Sequence, residues 1–169
     1  MITSKKFCYI KAITQCGYLS DFCEFIYAKY NFQEPSTIPN MPPTMAYEPE
    51  IWIIGSNIIE ELKKNPPKKR DFSILLNEIL KVIKTKKYES GRESFVMTLH
   101  YFNKYPIVKE ILSTLLDDRQ LYGFAIGELK KMKCYNYTEK INKILQSEKT
   151  TWIKHEAKQY LKKAQGDLI

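Results

Sequence analysis

The side chains able to do chemistry are few and scattered along this chain. His100 and His155 each lack a second histidine one helical turn away, and His155-Glu156 is missing the closing histidine of a His-Glu-x-x-His metal site. Cys8, Cys16, Cys23 and Cys134 have neither Cys-x-x-Cys spacing nor the density of a disulfide scaffold. They read as small buried apolar residues in a reducing compartment, and no zinc site is expected. Ser94 and Ser113 have no identifiable base, and Arg92-Glu93-Ser94 most simply opens a helix and supplies an ion pair. Asp117 and Asp118 read as turn and capping carboxylates. The glycines never cluster into a phosphate loop, a dinucleotide fingerprint or a nucleophile elbow. These residues predict no enzyme, no metal and no cofactor.

Binding chemistry is better represented. Lys154, Lys158 and Lys162 stand four apart, and Lys130, Lys131 and Lys133 carry basic character into the preceding segment. If their side chains share one side, they form a band able to track phosphates or meet an acidic face. Tyr105, Tyr135 and Tyr137 belong to a tyrosine-rich stretch of the amphipathic anchors that dominate interfaces. Trp52 and Trp152 would be stacking platforms if exposed. An indole on a helix that also carries an apolar stripe is expected in the core.

Composition sets the frame for these residues. With 169 residues, 44% hydrophobic and 13% aromatic, the chain is long and apolar enough for a core that needs no staples and is not a disordered segment. The net charge of +8 is uneven: residues 1–60 hold 4 Lys/Arg against 6 Asp/Glu, and residues 61–169 hold 23 against 13. Such asymmetry fits an anionic partner, either nucleic acid or an acidic protein surface. The run Phe7-Cys8-Tyr9-Ile10 meets Lys11 at once and is too short for a secretory signal, and Ile51 to Ile54 is far below spanning length. A soluble, cytoplasmic protein without membrane contact is expected.

The elements that must position these side chains are helices. Residues 3–31 carry apolar positions at helical intervals, with Gly17 ending a first helix and Ser20 or Asp21 capping a second. Five prolines between Asn31 and Pro49 exclude a regular element there, although Met41, Met45 and Tyr47 are apolar enough to dock. Helices are then expected over 49–64, 71–84 with Asp71 as N-cap, 91–103, 107–116, 119–132, 138–146 and 151–164. The short connections make sequential helices antiparallel neighbours. A pattern returns across them: Phe95 to Leu99, Ala125 to Leu129, Ala157 to Leu161, with leucines 30 and then 32 positions apart. A near-fixed period of that length predicts an all-α, right-handed stack of antiparallel helical hairpins. Residues 1–47 are expected to form a helical amino-terminal cap with its Pro-rich loop, and residues 48–169 one continuous repeat domain.

The stretch from Asp117-Asp118-Arg119 through Ala125-Ile126-Gly127-Glu128-Leu129, continuing through Ile141 and Ile144-Leu145 and restarting at Trp152-Ile153-Lys154, resembles a bacterial HEAT-like repeat. Ala125 and Ala157 hold the repeat's small position, which lets two helices approach while the leucine four residues on fills the adjoining groove. Phe95 replaces that alanine in the preceding unit and calls for a looser crossing or a small partner. The resemblance, which extends to the repeats of phycobilisome-lyase-type proteins, implies a HEAT-like α-solenoid. Its concave wall would be the second helices, 71–84, 107–116 and 138–146. It implies a module that binds another protein, such as an immunity protein that neutralises a cognate bacterial toxin, in which the basic half suits an acidic toxin face. A related implication is nucleic-acid binding, as in the HEAT-like DNA glycosylases, whose catalytic aspartate and aromatic residues map onto no particular positions here. No bilin is implied, since nothing in the chain supplies lyase chemistry.

Overall fold

The computed structural model describes residues 17–35, 43–64 and 72–166, and these are mostly helical. The expected helix before Gly17, the Asp71 cap, Met41, Cys8 and Cys16 lie outside them. No described helix is long and apolar enough to cross a membrane. The chain divides into two compact units, Met1–Phe95 and Val96–Ile169.

In the first unit, helix α1 is Leu19–Lys29, α2 is Tyr47–Lys64 and α3 is Phe72–Lys84, followed by a 3-10 stretch, Lys86–Arg92. Helix α2 carries Glu48 and Glu50 in its first turn and Lys63 and Lys64 in its last, which suits the helix dipole at both ends. Its Ile51, Ile54, Ile58 and Leu62 keep the three-four spacing and are buried. Helix α1 packs on α2 and α3, and the 3-10 stretch packs on α2 and α3. Cys23 is fully buried, and burial first, then the nearby Glu78 and Glu24, pushes its thiol up to about 12. A thiol so raised is an inert core residue.

Three local expectations need correction. Neither Ser20 nor Asp21 caps α1, whose N-cap position is Tyr18 with no side-chain cap. Ser20 instead donates its amide and hydroxyl to Glu78 Oε2 on α3, at 2.9 and 2.7 Å. The segment of five prolines does contain regular structure: strand β1, Gln33–Glu34, pairs antiparallel with β2, Thr44–Met45, and neither strand holds a proline. The single helix expected over 91–103 is broken into the end of the 3-10 stretch, a short helix α4, Glu93–Val96, and a second 3-10 turn, Leu99–Phe102. The interruption has a physical cause. The His100 amide, which would donate to the carbonyl four residues back in a continuing helix, goes to Glu128 Oε2 at 2.9 Å, and the Tyr101 amide makes a 3-10 bond to Thr98.

Glu78 ties α1 to α3. Burial raises its carboxyl, and the hydrogen bonds from Lys81 and from the Ser20 amide and hydroxyl outweigh burial, so it lies below its ordinary value. A carboxyl lowered on folding stabilises the fold above its unfolded pKa of about 4.3, and the contribution fades as pH falls through the folded value. Glu78→Gln is expected to cost on the order of 1 kcal/mol at neutral pH. That cost should shrink toward zero near the acid limit of folding. Urea denaturation of both proteins across acid pH tests this; a cost independent of pH would contradict it.

In the second unit, α5 is Pro106–Leu115, α6 is Tyr122–Lys131, α7 is Thr138–Ser147 and α8 is Thr151–Gly166. Tyr105 is extended before Pro106, which takes the first helical position as its missing donor permits. Helix α6 begins three residues later than expected because Asp118 forms a turn, its Oδ1 accepting the Gln120 amide and its carbonyl the amides of Leu121 and Tyr122. Helices α5 and α6, α6 and α8, and α7 and α8 pack closely in pairs, whereas the sequential α6 and α7, expected as antiparallel neighbours, do not pack closely on each other. Ala125 and Ala157 are both fully buried, as a close crossing needs. Tyr160 of α8 pins the turn between α6 and α7: its hydroxyl donates to the Cys134 carbonyl at 2.7 Å and accepts the Tyr137 amide at 3.3 Å.

Candidate interaction surfaces

The basic residues of the second unit separate into two groups. Lys130 is 12% exposed in its side chain, and its Nζ donates to Glu156 Oε2 at 2.6 Å and to Gln159 Oε1 at 2.7 Å. Its ammonium is therefore committed to joining α6 to α8. Lys131 pairs with Glu128 Oε1 at 2.7 Å. Along α8, Lys158, Lys162 and Lys163 are exposed and Lys154 is half-buried, and none of the four makes an ion pair among the described residues. The one carboxylate within α8, Glu156, is already held by Lys130. The row expected from the sequence is present on α8, and Lys130 and Lys131 are occupied by carboxylates beside it.

The tyrosines are amphipathic seams. Tyr135 lies edge-on to Tyr160 at 5.4 Å, Tyr137 is held through its amide by the Tyr160 hydroxyl, and Tyr105 precedes α5; all three are half-buried. Burial pushes the Tyr160 phenol up to about 12, so it stays a neutral donor. Both tryptophans depart from the expected core position: Trp52 is 37% and Trp152 44% exposed. Trp152 packs its six-membered ring on Gly123, where an added Cβ would come within 2.5 Å of Cη2, and beside Phe124 at 5.0 Å between ring centroids.

An open groove of about 720 Å³ runs along α7. Leu116 and Asp117 at the end of α5 form part of its lining, and Tyr137, Lys140, Lys143 and Ile144 line it from the side of α7. Lys140 crosses it, donating to Asp117 Oδ2 at 2.7 Å and to the Ser113 carbonyl at 3.3 Å. Only Ile141 of α7 is buried; Ile144 and Leu145 remain partly open. Both walls come from helices that the repeat pattern places second in their hairpins.

Sequence reading missed Glu128. It is 1% exposed and accepts three donors: the His100 amide, His100 Nδ1 at 2.7 Å and Lys131 Nζ. The signal available was a glutamate set between Ile126 and Leu129 on the apolar face of α6, with Lys131 three residues on. The partner at His100, 28 positions away, was not visible. Among the described residues no three His, Cys, Asp or Glu side chains gather as a metal site. No family model, curated protein or solved structure matches the chain.

Proposed function

We propose that this protein is a non-enzymatic, cytoplasmic binding module of HEAT-like helical hairpins whose groove along α7 receives a protein partner. The groove itself carries the proposal: it is open, and its lining sets Leu116, Tyr137 and Ile144 among polar and charged residues that include Asp117, Glu139, Lys140 and Lys143. A mixed apolar and polar lining is ordinary for a non-obligate protein interface, which is about as apolar as the rest of a protein surface. The hairpin reading draws support within residues 96–169 from α6 and α8, successive first helices that pack side by side with Ala125 and Ala157 fully buried. Its specific form is an immunity protein that occludes a cognate bacterial toxin, a role suited to a small module with few chemistry-bearing residues. The net positive charge of residues 61–169 would favour approach of an acidic toxin face.

Affinity capture of tagged protein from the source cell tests the proposal. The expected result is one stoichiometric protein retained at moderate salt, whose expression arrests growth and whose arrest is relieved by co-expression of this chain. A captured protein whose activity is unaffected by binding would remove the immunity role and leave the binding module. Absence of any stoichiometric protein would remove both.

A further inference from the structure

The outer face of α8 has a composition that a protein interface does not explain. Trp152 is the one large apolar side chain exposed along the helix, and the rest of the exposed face is Thr151, His155, Lys158, Lys162, Lys163, Gln165 and Gly166. Protein interfaces centre on an apolar cluster and are depleted of lysine. Here, among the described residues, a single exposed indole shares the helix with lysines that make no ion pair, and the one carboxylate of the helix is held by Lys130. The indole packs its Cη2 and Cζ3 edge on Gly123 and lies tilted beside Phe124, yet it is 44% exposed, so a rigid aromatic surface is offered to solvent at little cost in side-chain entropy. Lys158 and Lys162 are one turn apart, a rise of about 6 Å along the axis.

From this arrangement we infer that the outer face of α8 binds single-stranded nucleic acid, with Trp152 stacking on a base and Lys158, Lys162 and Lys163 on the phosphates. Aromatic stacking beside a cationic track is the chemistry by which single strands are held without sequence preference. A duplex is disfavoured as the ligand because its bases already cover one another's faces. The inference is independent of the groove along α7: it involves none of the groove residues.

Fluorescence titration with oligo(dT) tests it, in a Trp52→Phe background so that Trp152 is the only reporter. The expected result is quenching of Trp152 at low salt, with log K falling linearly in log salt. Trp152→Ala, followed by anisotropy of labelled oligo(dT), should weaken binding by about tenfold at every salt concentration. Combined Lys158→Glu, Lys162→Glu and Lys163→Glu should flatten the salt dependence by a slope of about 2. Circular dichroism and a thermal melt establish that each variant is folded, and Trp152→Phe, which keeps an aromatic face, should retain most of the affinity. Three results would overturn the inference: no binding at low salt, binding untouched by Trp152→Ala, or equal quenching by a poly-glutamate peptide of matched charge. The last would assign the face to an acidic protein instead.

Discussion

Gly55→Ala should destabilise the amino-terminal unit by about 2 kcal/mol, through overpacking. A Cβ at this position of α2 would stand 2.1 Å from Ser94 Oγ, 2.9 Å from Ser94 Cβ and 3.1 Å from Phe95 Cδ2. Ser94 and Phe95 are both fully buried, so neither can swing into solvent. Turning the Ser94 hydroxyl away would relieve the first contact, and it has no hydrogen bond to lose, but the Cβ contact would persist. Mid-helix, alanine alone would gain about 1 kcal/mol over glycine, so a net loss identifies the close approach as the cause. Adding Ser94→Gly should recover part of the loss in a double-mutant cycle. Urea denaturation followed by Trp52 emission in a Trp152→Phe background provides the measurement, and a stabilised Gly55→Ala protein would show that α2 and the Ser94 segment are not so close.

Glu128→Ala carries the second large effect, about 2 kcal/mol, the range for leaving buried hydrogen-bond donors without a partner. It strands the His100 amide and Nδ1 and releases Lys131, whereas His100→Ala and Lys131→Ala each remove one side-chain donor and leave the carboxylate with others. The ordering follows from these bonds: Glu128→Ala worst, His100→Ala intermediate, Lys131→Ala mildest because that ammonium is 46% exposed. Equal stability of the Glu128→Ala and Lys131→Ala proteins would contradict it. Because the His100 amide holds the break between α4 and the second 3-10 turn, amide exchange at His100 should quicken in Glu128→Ala even where the global fold survives.

Legibility in the sequence followed the reach of each interaction. Helices α2, α3, α5, α7 and α8 are set by apolar spacing and by residues at their own ends, and their expected bounds lie within two residues of those observed. Pro106 takes the first position of its helix, one residue before the expected start, as local stereochemistry permits. The small partner that Phe95 required is Gly55, forty positions earlier, and nothing local to either residue links them. The same holds for the 91–103 helix, whose interruption depends on Glu128, and for Ser20, drawn from its cap by Glu78.

Residue type was a poorer guide to exposure than to structure. The tryptophans look like core residues and lie on the surface, while Glu78 and Glu128 look like surface residues and are 4% and 1% exposed. The lysines split in the same way: periodicity put Lys154, Lys158 and Lys162 on one helix, but only the packing of α6 on α8 commits Lys130 to Glu156. The α7 groove depends on the placement of two helices whose spacing no sequence pattern encodes.

The measurement that bears most directly on the proposed function is the affinity of the captured partner protein for wild type and for Ile144→Asp, by titration calorimetry. Ile144 lies in the groove and is partly open, so the substitution places a charge on the proposed interface. A loss of about thirtyfold or more, the scale of an interface hot spot, with the helix content unchanged, is the predicted result. Equal affinity of the two proteins would place the partner elsewhere and contradict the assignment of the groove.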